Sequence, residues 1–88
     1  MEWHQFAMVL RIPEGREADW SRLLSRAVSP SNLRCTPRTP TLLIFEVEAE
    51  MEFLAIEKAE QWLNYLTTQA LPPFKLGTNA QPAHEIES

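Results

Sequence analysis

The sequence predicts a single α+β domain, and three observations support that prediction. Apolar residues recur at every second position along 5–12 and again along 41–48, so that one face of each segment is apolar, which indicates two strands. Apolar residues recur every three to four positions along 16–28 and 51–70, which indicates two helices. A length of 88 residues and a hydrophobic content of 44% suit one small packed domain.

A clear break separates the first strand from the first helix. Between residues 5 and 12, one face of the strand carries Phe6, Met8, Leu10 and Ile12. Pro13 and Gly15 end this strand. The helix at 16–28 places five apolar residues on one stripe, namely Trp20, Leu23, Leu24, Ala27 and Val28. Pro30 then ends the helix, because a residue that precedes proline avoids the α conformation.

The third strand is expected to lie at the centre of the sheet. A short strand at 32–36 precedes it, and Pro37 and Pro40 indicate a connection between the two, since proline is poorly tolerated inside a sheet. The segment 41–48 carries five apolar residues, and it is rich in β-branched and aromatic side chains. A strand of this composition is typical of a central position.

A long helix and a polar segment complete the chain. The apolar stripe of the helix at 51–70 consists of Ala55, Ala59, Trp62, Leu63, Leu66 and Ala70. Pro72 ends this helix, and residues 74–76 are expected to add a short last strand. Residues 1–77 are therefore predicted to form the domain, and residues 78–88 a flexible polar tail. The order β-α-β-β-α-β is that of the ferredoxin-like fold, in which two helices cover one face of an antiparallel sheet.

The sheet face opposite the helices is the predicted functional surface. The helices are expected to cover Phe6, Met8, Leu10, Leu43, Phe45 and Val47. The open face then presents a predicted partner-binding set of four apolar and two charged residues, Ala7, Val9, Arg11, Leu42, Ile44 and Glu46. An apolar patch with a charged rim is typical of a contact surface, so the sequence predicts a non-enzymatic module that dimerises or binds a protein partner. The alternative is that the tail, or the N-terminus with Trp3, covers this face.

No residue pattern indicates catalysis, a cofactor or a metal ion. The glutamates at alternate positions from 46 to 52 have no histidine or aspartate beside them, and they are interpreted as a solvated strand end and helix start. His4 and His84 lie far apart in the sequence. Cys35 is the only cysteine and is interpreted as a small core residue. We therefore expect neither catalytic residues nor metal ligands.

The net charge of −4 is distributed unevenly. Residues 1–40 carry six arginines and four acidic residues, whereas residues 41–88 carry eight glutamates and two lysines. The acidic balance argues against nucleic-acid binding, although it leaves open whether the arginines bind an anion, the candidates being Arg22, Arg26, Arg34 and Arg38. One cysteine and no signal peptide predict a cytoplasmic protein, and no apolar run is long enough to predict a membrane span.

Residues 10–20, with the sequence LRIPEGREADW, resemble the strand-to-helix turn of small dimeric α+β barrel proteins of the antibiotic-biosynthesis monooxygenase type. The resemblance covers about an eighth of the chain. It implies that two subunits pair through their open sheet faces, and it gives an alternative function, the binding of a small apolar ligand or a cofactor-free oxidation. An ACT-like effector-binding domain is a third alternative.

Overall fold

The computed structural model describes residues 1–83 and contains a four-stranded antiparallel sheet with two helices. In chain order the elements are β1 (Glu2–Arg11), α1 (Glu17–Arg26), β2 (Leu33–Thr39), β3 (Leu42–Ala49), α2 (Glu52–Thr67) and β4 (Gly77–Gln81). The strands lie in the order β2-β3-β1-β4, so β1 and β3 form the central pair. The α+β class predicted from the sequence is confirmed. No helix of the described chain is long and apolar enough to cross a membrane.

The core lies between the helices and the sheet face on which they pack. Alternation in β1 and β3 directs six side chains into it, as predicted: Phe6, Met8, Leu10, Leu43, Phe45 and Val47. Phe6 pairs with Phe45 in the sheet register, and their rings stack with centroids 5.6 Å apart. The ring of Trp62 meets Phe45 edge-on at 6.0 Å, which joins α2 to the central strand.

The stripes of the two helices are confirmed, apart from their last residues: Val28 follows α1, and Ala70, although buried, follows α2, which ends at Thr67 and not at residue 70 as predicted. Trp20 of α1 is fully buried, and its indole N–H donates to the Pro40 carbonyl oxygen at 2.7 Å. The prediction that Val28 extends this stripe is wrong, because α1 ends at Arg26 and Ala27 is extended, which leaves Val28 85% exposed. The buried residues of α2 in this core are Ala55, Ala59, Leu63 and Leu66.

A tight turn joins β1 to α1 and is tied to the chain beyond α2. Gly15 has a φ of +83°, a left-handed conformation that favours glycine. The next residue, Arg16, donates from Nε to Asp19 at 2.8 Å and from Nη2 to the Pro72 carbonyl oxygen. Its guanidinium also lies 4.4 Å from the ring centroid of Phe74. This one side chain therefore connects the start of α1 to the segment that leads into β4.

The second strand is longer than predicted. Pro37 and Pro40 indicated a connection, yet β2 continues through Pro37 to Thr39 and pairs Pro37 with Leu43. An edge strand tolerates proline because one side of it has no neighbour that needs the missing N–H. The strand is irregular at this point, since its register shifts between Pro37 and Thr39.

The last strand was placed too early by the sequence pattern. The predicted strand at 74–76 is wrong, and β4 instead comprises Gly77–Gln81, within the segment assigned largely to the tail. Backbone pairing with β1 holds this polar strand, and the Thr78 hydroxyl donates to Glu60 of α2 at 2.8 Å. The tail prediction is therefore incorrect as far as Gln81, and its last part, residues 84–88, lies outside the described residues.

Candidate interaction surfaces

The sheet register brings the predicted partner-binding residues together. Ala7 lies opposite Ile44, and Val9 lies opposite Leu42. Arg11 and Glu46 follow with the same alternation, so all six predicted residues share the face that α1 and α2 do not cover. We call this surface the open sheet face and define it by Ala7, Val9, Arg11, Leu42, Ile44 and Glu46.

The centre of the open sheet face is nevertheless buried. Ala7 is 0% exposed and Ile44 is 6% exposed, so the prediction that both face solvent is wrong. They form the middle row of the two central strands, with Thr36 of β2 and Gln81 of β4 as their outer neighbours. Neither belongs to the helix-side core, and Ala83, two residues beyond β4, is also buried outside that core.

The accessible part of this face lies around its centre. Val9 and Leu42 are half-buried, whereas Arg11 and Glu46 are exposed. At the Arg11 end, a depression of about 450 Å³ forms between β1 and β4. Its lining residues are Val9, Leu10, Arg11, Gly77, Thr78 and Asn79. Gly77 lies opposite Arg11 and has no side chain, so it leaves this end of the sheet concave.

At the other end of the same face, Trp3 interacts with Arg34. The Arg34 guanidinium lies 4.6 Å from the Trp3 ring centroid and reaches across β3 from the neighbouring edge strand. Trp3 remains 41% exposed. Sequence reasoning missed this pair, although the odd-numbered position of Trp3 in β1 was a signal that it shares a face with Val9.

The titratable side chains of residues 1–83 do not assemble a reactive centre. Burial raises the pKa of the Cys35 thiol from 9.0 to about 12, so at neutral pH it stays a protonated thiol and a poor nucleophile. His4 lies 3.1 Å from the Ala49 carbonyl oxygen through Nε2, a contact within the sheet. Among the described residues, no group of three or more histidine, cysteine, aspartate or glutamate side chains could hold a metal ion.

A second surface, which the sequence did not predict, lies on the helix layer. A groove between α1 and α2 consists of two adjoining depressions of about 420 and 290 Å³, both lined by Leu23, Arg26 and Gln69. We call it the helix groove. Its exposed apolar residues are Val28, Tyr65 and Leu71, of which Leu71 is 94% exposed. For Tyr65 and Leu71, the sequence did contain a signal of this surface, because both are large apolar residues outside the apolar stripe of α2.

Comparison with known proteins identifies no relative. No protein-family model, no curated protein and no solved structure shows significant similarity to this chain.

Proposed function

We propose that this protein is a small non-enzymatic interaction module with a ferredoxin-like arrangement, which dimerises through its open sheet face. The observation that carries the proposal is the pair Val9 and Leu42, which lie side by side on the face that the two helices leave free. Exposed charges of opposite sign, Arg11 and Glu46, flank this apolar pair. Such a combination is typical of contact surfaces on small proteins.

The charges on this face favour a second copy of the chain as the partner. Glu46 lies opposite Gln5, six residues from Arg11 along β1, which corresponds to about 20 Å at the rise of an extended strand. A two-fold axis that lies in the interface and crosses the strands at the Met8–Leu43 register, midway between Glu46 and Arg11 and next to the apolar pair, brings Arg11 of each copy near Glu46 of the other. A two-fold interface repeats each contact, so one favourable pair counts twice.

The packing of the core supports an interaction module over the alternative of a ligand-binding barrel. A ligand chamber between sheet and helices would need space near Met8, Phe45 and Trp62. Met8 and Phe45 are 0% exposed, and the Phe6 and Trp62 rings pack against Phe45. Among the described residues, no buried side-chain polar atom lacks a hydrogen-bond partner, so no polar group there awaits a ligand.

Sedimentation velocity tests the proposal. At about 10 µM, a concentration that a specific interface of standard size readily supports, we expect a dimer of the wild type. Leu42→Glu introduces a charge at the half-buried apolar pair and should give a folded monomer. Arg11→Glu, at an exposed position, should weaken the dimer without any risk to the fold. Ile44→Glu is unsuitable, because Ile44 is 6% exposed and a buried charge would unfold the chain.

The matched control is Ser31→Glu, which adds the same charge in the exposed loop before β2. It should leave the dimer intact, and circular dichroism should show that all variants are folded. A monomeric wild type at this concentration contradicts the proposal. So does a Leu42→Glu variant that dimerises as tightly as the wild type.

A further inference from the structure

The helix groove has the chemistry of a docking site. Val28, Tyr65 and Leu71 are 85%, 62% and 94% exposed, and they lie around one concave surface. Isolated exposed apolar residues are ordinary, but three large ones around a single groove are typical of a surface that binds a partner. The groove lies on the opposite side of the molecule from the open sheet face, so it forms a separate surface.

The helix groove has a net positive charge, because its lining contains two arginines and one carboxylate, that of Asp19. Arg22 and Arg26 of α1 line it, and both side chains are exposed. Arg22 lies 3.6 Å from Asp19, which already pairs with Arg16 at 2.8 Å. Within residues 1–83, no carboxylate forms an ion pair with Arg26. The groove therefore offers at least one guanidinium to a partner.

The complementary chemistry occurs at the other end of α2. Met51 is 54% exposed and Phe53 is 60% exposed, so two large apolar side chains project from the start of this helix. Acidic residues surround them, namely Glu50, Glu52 and Glu57, all of them exposed. We call residues 50–53 the acidic knob. Its apolar tip and negative rim match the apolar floor and positive rim of the helix groove.

The spacing of the two features fits a symmetric pair. Phe53 and Tyr65 lie twelve residues apart on α2, which corresponds to about 18 Å at the rise of an α-helix. Both features are on the helix layer, so a two-fold axis near the middle of α2 brings each knob to the groove of the other copy. A two-fold arrangement of this kind closes on itself and satisfies both contacts at once.

We propose that the helix layers of two copies pair in this way, with Met51 and Phe53 of each copy in the helix groove of the other and Glu52 facing Arg26. This contact is independent of the open-face dimer, because it uses the opposite side of the molecule. When both contacts form, dimers join into larger assemblies. The knob is small, so the contact belongs to the weak, transient class and should appear only at high protein concentration.

Charge reversal provides a sharp test. The variants Arg26→Glu and Glu52→Arg are made in chains that also carry Leu42→Glu, so that the open sheet face does not contribute. Each variant alone places like charges together in both contacts, and it should stay monomeric. An equimolar mixture restores opposite charges in both contacts and should form a heterodimer. We expect the mixture to associate at least about tenfold more tightly than either variant alone, as measured by sedimentation equilibrium up to about 1 mM.

A matched control separates specific pairing from general attraction. Glu17→Arg makes the same charge change in the first turn of α1, away from the acidic knob. A Glu17→Arg chain keeps both Arg26 and Glu52, so it should associate with itself as the parent chain does, whereas its heterodimer with Arg26→Glu would contain one like-charge contact and should be weaker than the Arg26→Glu and Glu52→Arg heterodimer. The proposal is overturned if the Arg26→Glu and Glu52→Arg mixture remains monomeric, or if Arg26→Glu binds Glu17→Arg as tightly as it binds Glu52→Arg. If Leu42→Glu lowers the helical content by circular dichroism, the same mixtures are repeated in Arg11→Glu chains, with the same outcomes decisive.

Discussion

Replacement of Trp20 by phenylalanine tests whether the α1 contact with the sheet is a principal source of stability. Trp20 is fully buried in the helix-side core, and its indole N–H donates to the Pro40 carbonyl oxygen at 2.7 Å. That bond ties α1 to the turn between β2 and β3, two elements that are otherwise joined through side-chain packing. Trp20→Phe keeps an aromatic ring but removes both the donor and part of the buried volume.

Three losses add up in this variant. The missing hydrogen bond contributes about 1 kcal/mol. The smaller ring leaves a void of roughly 40 Å³, which costs about 1 kcal/mol at 24 cal/mol per Å³. The lost burial of roughly 40 Å² of apolar surface contributes about 1 kcal/mol more. We therefore expect the free energy of unfolding to fall by about 3 kcal/mol, out of roughly 4 to 13 kcal/mol for a chain of this length.

Urea denaturation followed by far-UV circular dichroism measures this change, with Trp62→Phe as the matched control. Trp62 also donates its indole N–H to a carbonyl oxygen, that of Val28, but at 3.3 Å in an exposed position, and its ring is half-buried. Trp62→Phe should therefore lower the free energy of unfolding by about 1 kcal/mol or less. We expect Trp20→Phe to lose more stability because the ring and N–H donor of Trp20 are buried. An equal decrease in the free energy of unfolding in the two variants would refute this reasoning.

Two further predictions concern Arg16 and Cys35. Arg16→Lys removes the planar contacts with Asp19 and the Phe74 ring, so urea denaturation should show a loss of about 1 kcal/mol, whereas Arg22→Lys, at a more exposed position, should show almost none. Burial raises the pKa of the Cys35 thiol from 9.0 to about 12, so between these pH values the thiol is ionised in the unfolded chain but still protonated in the folded one. The free energy of unfolding should therefore decrease as the pH rises from 9.0 towards 12. Cys35→Ala should abolish that part of the pH dependence, and a profile unchanged in this variant would contradict the assignment.

The sequence predicted the elements whose burial is periodic. Phe6 and Met8 belong to a series of apolar residues at every second position of β1, and Phe45 belongs to such a series in the opposing strand, so their common face followed directly from the pattern. The same holds for Trp20 and Leu63, whose helical spacing indicated the buried side of each helix. At all these positions, only one side of the helix or strand packs on the core. Apolar residues therefore recur in the sequence with the period of that helix or strand.

Elements that depend on backbone pairing, or on a position at the edge of the sheet, could not be predicted in the same way. Thr78 and its neighbours in β4 form a strand because their backbone pairs with the free edge of β1. The polar sequence of β4 does not itself indicate that such an edge is present. Pro37 lies in a strand because β2 is itself an edge, which the local sequence does not reveal. Ala7 and Ile44 looked exposed because the pattern identified only the face that the two helices cover.

A two-layer domain has two outer sides, and both retain accessible apolar side chains in the part of this chain that the structure describes. One outer side is the open sheet face, where Val9 and Leu42 are half-buried; the other is the helix layer, where Val28 and Leu71 are exposed. Periodicity reports burial within one chain only, so apolar residues off the periodic stripe are where contacts between chains should be sought. The charge distribution agrees with this view, because the arginines of α1 and the glutamates at the start of α2 occupy opposite ends of the same layer.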